Sequence, residues 1–168
     1  MSRNYGLGSR DMARAGRFAV NAAARDGAMS FASAATIGDR WAQFCEFARD
    51  EGIKRMEDVT RDVVIAYAQT LGDLSPATAQ NYVSAINTVM TIATRGEWES
   101  ISPVRDCGLE NRSTARTDAV PTRDQVTAAI ATIADERLSA VATLMHEFGL
   151  RSKEASLLDA RAAYAEAS

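Results

Sequence analysis

The chain has 168 residues, 46% of them hydrophobic and 24% charged, with only three prolines. This composition excludes a disordered tail, a collagen-like fibre and a low-complexity linker, and a compact fold of this size buries about 70% of its unfolded surface without staples. The formal charge of −3 alone argues against a nucleic-acid binder, because such binding rests on neutralising phosphates.

The distribution of charge points the other way. Residues 1–29 hold five arginines against two acids, 30–94 five bases against eight acids, 95–123 five against five, and 124–168 four against seven. The N-terminal segment is therefore basic within an acidic molecule. Of the 19 bases only Lys54 and Lys153 are lysines, and arginine is the side chain suited to forked contacts with phosphates and base edges. Cys45 and Cys107 lie far apart, no C-x-x-C pair occurs and His146 is the one histidine. Neither a disulfide framework nor a zinc site has enough ligands, so reduced thiols, no metal and no cofactor are expected. The N-terminus lacks an apolar core of signal-peptide length and no unbroken apolar run is long enough to span a bilayer, which makes a cytoplasmic location the expectation.

In chain order, helical periodicity dominates and no strand pattern emerges, so the expected fold is all-α. The first predicted helix covers residues 9–28 and places Arg10, Arg14, Arg17, Asn21 and Arg25 on one stripe; residues 1–29 are read as a basic arm helix. The second covers residues 37–51, with Ile37, Trp41, Phe44, Cys45 and Ala48 inward and Gly52 as its stop. The third starts from Thr60 as N-cap, turns Val64, Tyr67, Ala68 and Leu71 inward and ends at Gly72. The fourth has Ser75 as cap and Pro76 at its first position, with Ala79, Tyr82, Val83, Ile86, Val89, Met90 and Ala93 forming an apolar stripe. Its other face carries Asn81, Ser84, Thr88, Thr91 and Arg95, and no carboxylate occurs between Asp73 and Glu97. Such a face suits a polyanion, and an Ala- and Thr-rich solvated surface is the competing reading.

Residues 30–104 are thus expected to form a helical domain, and the polar, aperiodic stretch 105–121 a linker. Beyond it, Thr122 and Gln125 form a capping box for a helix with Val126, Ala129, Ile130 and Ile133 inward, followed by a helix with Leu138, Val141, Ala142, Met145 and Phe148 inward before Gly149. The remainder reads as helix to the end, as though residues 122–168 were the start of a longer domain.

Two features carry a resemblance. The first is Glu57-Asp58-Val59-Thr60, a helix, then the segment from Leu74-Ser75-Pro76 to Asn81-Tyr82, then Ser102-Pro103. The second is the run from Phe148-Gly149-Leu150-Arg151 through Glu154 to Leu157-Leu158. Taken in this order they resemble the tyrosine recombinases, the phage-type integrases that also serve integrative conjugative elements. The first feature is similar to that family's helical, SAM-like core-binding domain, and the second to its G-[LM]-R-x-x-E-x-x-x-L segment; together they span residues 36–159.

The resemblance implies roles for two residues. In this family a tyrosine attacks a DNA phosphodiester, and arginines hold the non-bridging oxygens as charge grows on them. Arg151 would be the first such arginine and Glu154 the acid that buttresses it, the ordinary alternative being a surface ion pair. The family's remaining catalytic groups are missing. His146 is followed at the third position by Gly149 rather than the arginine of H-x-x-R, and Tyr164 follows no such segment and is not assigned as nucleophile. The isolated chain is therefore expected not to cut DNA.

The leading expectation is the DNA-binding N-terminal part of an integrase with a truncated catalytic domain. Double-stranded DNA is the expected partner, held through Arg10, Arg14, Arg17 and Arg25 and through Asn81, Ser84, Thr88 and Arg95; these residues follow from helical geometry and charge. The arm could alternatively mediate self-association. A helical protein-interaction or oligomerisation module, or a non-functional integrase remnant, is the alternative that the acidic balance favours. No small-molecule substrate or membrane role is expected, since no glycine-rich phosphate loop or paired nucleophile is present.

Overall fold

The computed structural model describes residues 3–113 and 119–159, and every regular element in them is helical. The chain divides into two compact units, Met1–Thr114 and Ala115–Ser168.

The first unit contains α1 (Met12–Arg25), α2 (Phe31–Asp50), α3 (Arg61–Gln69) and α4 (Pro76–Ala93). Local sequence sets the helix starts. Asp11, Ser30 and Ser75 accept hydrogen bonds from the backbone N–H groups of Arg14, Ser33 and Thr78, and Pro76 occupies the first turn of α4, where a missing N–H costs nothing. Thr60 stands at the N-cap of α3 without a capping side-chain bond. α2 begins six residues before the predicted start, because Ser30 caps a first turn whose Phe31 remains exposed.

The core forms around Trp41 and Phe44 of α2, which pack with Tyr67 of α3 and with Val83, Ile86, Val89 and Met90 of α4. Ring centroids of Trp41–Phe44 and Phe44–Tyr67 are each 5.3 Å apart, within the favourable range for tilted and edge-on aromatic pairs. The inward positions predicted for the second, third and fourth helices are buried, apart from half-buried Ile37 and Tyr82.

Two expectations about the first unit are corrected. Residues 1–29 are not a separate arm, for α1 belongs to the bundle and buries Met12, Ala15, Gly16, Ala19, Val20 and Ala24. Small side chains let α1 approach α2 closely, and the Trp41 indole Nε1 donates to the Met12 carbonyl oxygen at 3.0 Å. The segment before α1 is anchored too. Asn4 is fully buried in a left-handed conformation (φ 53°); its Oδ1 accepts from the Met56 N–H at 2.9 Å and its Nδ2 donates to the Ser9 carbonyl oxygen at 3.0 Å.

The expected linker, residues 105–121, is likewise ordered over its first part. Cys107 is buried, Gln69 Nε2 donates to the Cys107 carbonyl oxygen at 2.7 Å, and Gln80 Nε2 donates to that of Glu110 at 2.7 Å. Buried polar groups in an irregular segment need such partners, and the amides of α3 and α4 supply them. Residues 114–118 of the expected linker lie outside the described residues.

The second unit contains α5 (Arg123–Ala131), α6 (Glu136–Phe148) and α7 (Ser152–Leu157). The capping box of Thr122 and Gln125 is formed in both directions, and Gly149 ends α6 with φ 67°. Among the described residues its expected core does not close. Leu138, Met145 and Phe148 are exposed, Phe148 by 72%, and Ala155 is the single buried residue of this unit among the described ones. The helix expected to continue to the chain end stops at Leu157, and residues 160–168, Tyr164 among them, lie outside the described residues.

Candidate functional site

The predicted arginine stripe of α1 does not act as one surface. Arg17 is committed to α2: its Nη2 donates to Asp39 Oδ1 at 2.8 Å, and its Cγ would lie 3.1 Å from a Cβ at Gly38, so the stem covers that glycine. Arg14 is exposed with its guanidinium carbon 5.7 Å from the Phe18 ring centroid, a cation–π arrangement that leaves its charge facing solvent. Arg25 is exposed in the last turn of α1. Arg10, just before the helix, is exposed and lines a hollow together with Arg3, Arg49 and Lys54.

That grouping is a product of the fold. Arg49 sits at the end of α2 and Lys54 in the loop after it. The buried Asn4 side chain fixes the N-terminal segment on Met56, which brings Arg3 across so that its Nη2 donates to the Lys54 carbonyl oxygen at 2.8 Å. None of the four cations forms an ion pair among the described residues. Sequence reasoning named only Arg10 of this group. Arg3 has no helical register with it, and Arg49 and Lys54 lie in the segment whose charge sum is negative.

The polar face of α4 is where the spacing placed it. Ser84 is exposed and Asn81 and Thr88 are half-buried. Their chemistry differs from expectation, however. Ser84 Oγ donates to the Gln80 carbonyl oxygen and Thr88 Oγ1 to that of Ser84, each at 2.9 Å. Both hydroxyl hydrogens are thus occupied within the helix, and these residues present acceptors outward where a phosphate requires donors. Arg95 lies just beyond the helix in a left-handed conformation (φ 56°), exposed and without an ion pair among the described residues.

In the second unit, Arg151 is the N-cap residue of α7, and Glu154 binds it twice: Arg151 N–H donates to Glu154 Oε2 at 2.7 Å and Arg151 Nη1 donates to Oε1 at 3.0 Å. The Arg151 side chain is 87% exposed. This geometry serves a held phosphate-binding arginine and an ordinary i,i+3 ion pair equally. His146 is mostly buried on α6, its Nε2 has no hydrogen-bond partner among the described residues and lies 3.9 Å from Glu147 Oε1.

Both cysteines are free and buried, and burial raises the Cys45 thiol well above its ordinary value, so that it is protonated and inert at neutral pH. Among the described residues, no group of three side chains is placed to hold a metal and no helix is long and apolar enough to cross a membrane. No family model matches the sequence, and neither the curated proteins nor the solved structures contain a match to it.

Proposed function

We propose that the chain is the N-terminal, DNA-binding part of a tyrosine-recombinase-like integrase, engaging double-stranded DNA in the cytoplasm during integration and site-specific recombination. The observation that carries DNA binding is the convergence of Arg3, Arg10, Arg49 and Lys54, four cations without ion pairs among the described residues, on one face of a molecule whose formal charge is −3. A local concentration of positive charge suits a polyanion, because the field near a surface follows nearby charges and distant ones are screened within about 10 Å at 0.1 M salt. The recombinase assignment adds the resemblance of the Glu57–Tyr82 and Phe148–Leu158 segments, with Arg151 in the phosphate-holding role and Glu154 as its buttress. The role proposed for residues 1–168 is DNA binding.

Duplex affinity measured as a function of salt tests the reading. If the basic cluster together with Arg14, Arg25 and Arg95 meets three or four phosphates, log affinity falls with log salt at a slope of about −3 to −4. Absence of duplex binding at low salt removes the proposal.

A second reading has its own support. Leu138, Phe148 and Leu157 of the second unit are 60%, 72% and 72% exposed, and apolar side chains left in water favour association. In that reading the second unit is a self-association element, and any part taken by the expected arm falls to the exposed face of α1, whose other face is built into the bundle. Sedimentation over a concentration series decides it: association that Leu138→Ser with Phe148→Ser abolishes supports the interface, and a wild-type chain monomeric throughout rejects it.

A further inference from the structure

The four-cation face is not flat. Arg3, Arg10, Arg49 and Lys54 surround a hollow of about 210 Å3 between the N-terminal segment, the start of α1 and the end of α2. Its remaining wall is largely apolar, with Met12, Ile53 and the buried Cys45. One carboxylate, Asp11, also lines it, and its Oδ1 is held by the Arg14 N–H at 2.7 Å. The lining thus carries one negative charge against four positive ones, with Asp58 acting on Arg3 and Glu46 on Cys45 from outside it, and its apolar part weakens solvent screening.

From this arrangement we infer that the hollow is a discrete site for a single phosphate group. Three arginines and one lysine line one volume from three separate chain segments, Arg3 with one guanidinium nitrogen already held by the Lys54 carbonyl oxygen, and forked donors match the paired oxygens of a tetrahedral oxyanion in a way that spherical anions cannot reproduce. The source of the phosphate is the DNA backbone; in that respect the inference rests on the DNA-binding reading and deepens it, by assigning the cluster to one phosphate and not to several. The anion preference itself does not depend on that reading. An occupied site also ties Arg3 and the N-terminal segment to α2, so that binding stabilises the first unit as a whole.

The test uses the full chain with inorganic phosphate as the probe. Thermal unfolding followed by tryptophan fluorescence is expected to shift upward and saturably with phosphate, measured against sodium chloride at matched ionic strength. The shift is lost in the Arg10→Glu, Arg49→Glu double variant, which alters two exposed side chains, and is kept in Arg95→Glu. A phosphate response no greater than that of chloride overturns the site, whatever the result with DNA. With duplex, one lost phosphate contact lowers the magnitude of the salt slope by about 1, and inorganic phosphate competes for the cluster. A double variant that loses the phosphate response yet keeps the wild-type duplex affinity and slope assigns the site to free phosphate and overturns the DNA source. A chain that responds to phosphate but binds no duplex rejects the DNA-binding reading while leaving the phosphate site established.

Discussion

Gly16 of α1 lies directly against the indole of Trp41 in α2: a Cβ at Gly16 would overlap the ring at Nε1 and Cδ1. The same Nε1 donates to the Met12 carbonyl oxygen, so the glycine is what allows the indole to reach the α1 backbone. Gly16→Ala gains about 0.5–1 kcal/mol from helix preference and loses more, since overpacking costs about 1–3 kcal/mol and the displaced hydrogen bond about 0.5–1.5 kcal/mol. Net destabilisation is expected in urea unfolding. Gly72→Ala serves as the contrast, because its added Cβ meets nothing closer than the Gln69 carbonyl oxygen at 3.9 Å. Equal stability of the two variants would contradict the packing described.

Asn4 is the second point on which the first unit depends. Asn4→Ala removes the acceptor of the Met56 N–H and places alanine in a left-handed conformation that asparagine tolerates better. Leaving a buried donor unsatisfied costs about 1–3 kcal/mol. The functional consequence follows from position: once the N-terminal segment detaches, Arg3 leaves the cluster. Both stability and duplex affinity are expected to fall, whereas Arg3→Ala, at an exposed side chain, lowers duplex affinity with little change in stability. Unaltered duplex binding in both variants would detach Arg3 from the interface.

Much of the fold could be read from local signals, because caps act over three residues. Ser75 with Pro76, and Thr122 with Gln125, mark the starts of α4 and α5 without reference to tertiary structure. The placement of α1 was not legible. Between Met12 and Val20 its buried side is made of Ala15, Gly16 and Ala19, which carry little hydrophobic signal, and close packing on Trp41 becomes visible only when both helices are in place. The docking of 105–112 is hidden for a related reason: Gln69 and Gln80 hold backbone carbonyls 38 and 30 residues away, and such bonds leave no periodic mark in the sequence. Helical spacing found Arg10, but the cluster around it joins the N-terminal segment, the last turn of α2 and the loop after it, and spacing within one helix does not reach across them.

Arg17 and Arg14, neighbours on the predicted stripe, are expected to behave differently. Arg17→Ala breaks an exposed pair with Asp39, worth about 0–1 kcal/mol, and leaves the duplex salt slope unchanged because that charge is already neutralised locally. Arg14 has no ion pair among the described residues, and Arg14→Ala lowers the slope magnitude by about 1 if it meets a phosphate. Equal losses from both substitutions would show that the Asp39 pair opens on DNA.

Asp106 sets an acid limit on the first unit. Its carboxylate accepts from the Arg105 side chain at 2.9 Å and from the Ser102 N–H at 2.7 Å, and pairs with Arg61 of α3 at 2.7 Å. The Arg105 hydrogen bond is the largest influence, followed by the Ser102 N–H, and together they hold the carboxyl well below its ordinary value of 3.8. Glu57 is also lowered: burial opposes ionisation, and the N–H groups of Tyr5, Glu57 itself and Asn4 outweigh it. A group whose folded pKa is depressed stabilises the fold above its unfolded value and loses that contribution as pH falls toward the folded one. Stability is therefore expected to be level from neutral pH down to about 5 and to decline below about 4. Asp106→Asn should be less stable than the wild type at pH 7, with the gap narrowing progressively as pH falls below the ordinary carboxyl value of 3.8 toward the depressed folded one. Urea unfolding of both proteins across this range measures the gap, and a gap of constant size would mean that the Asp106 charge contributes nothing to holding the 102–107 segment on α3.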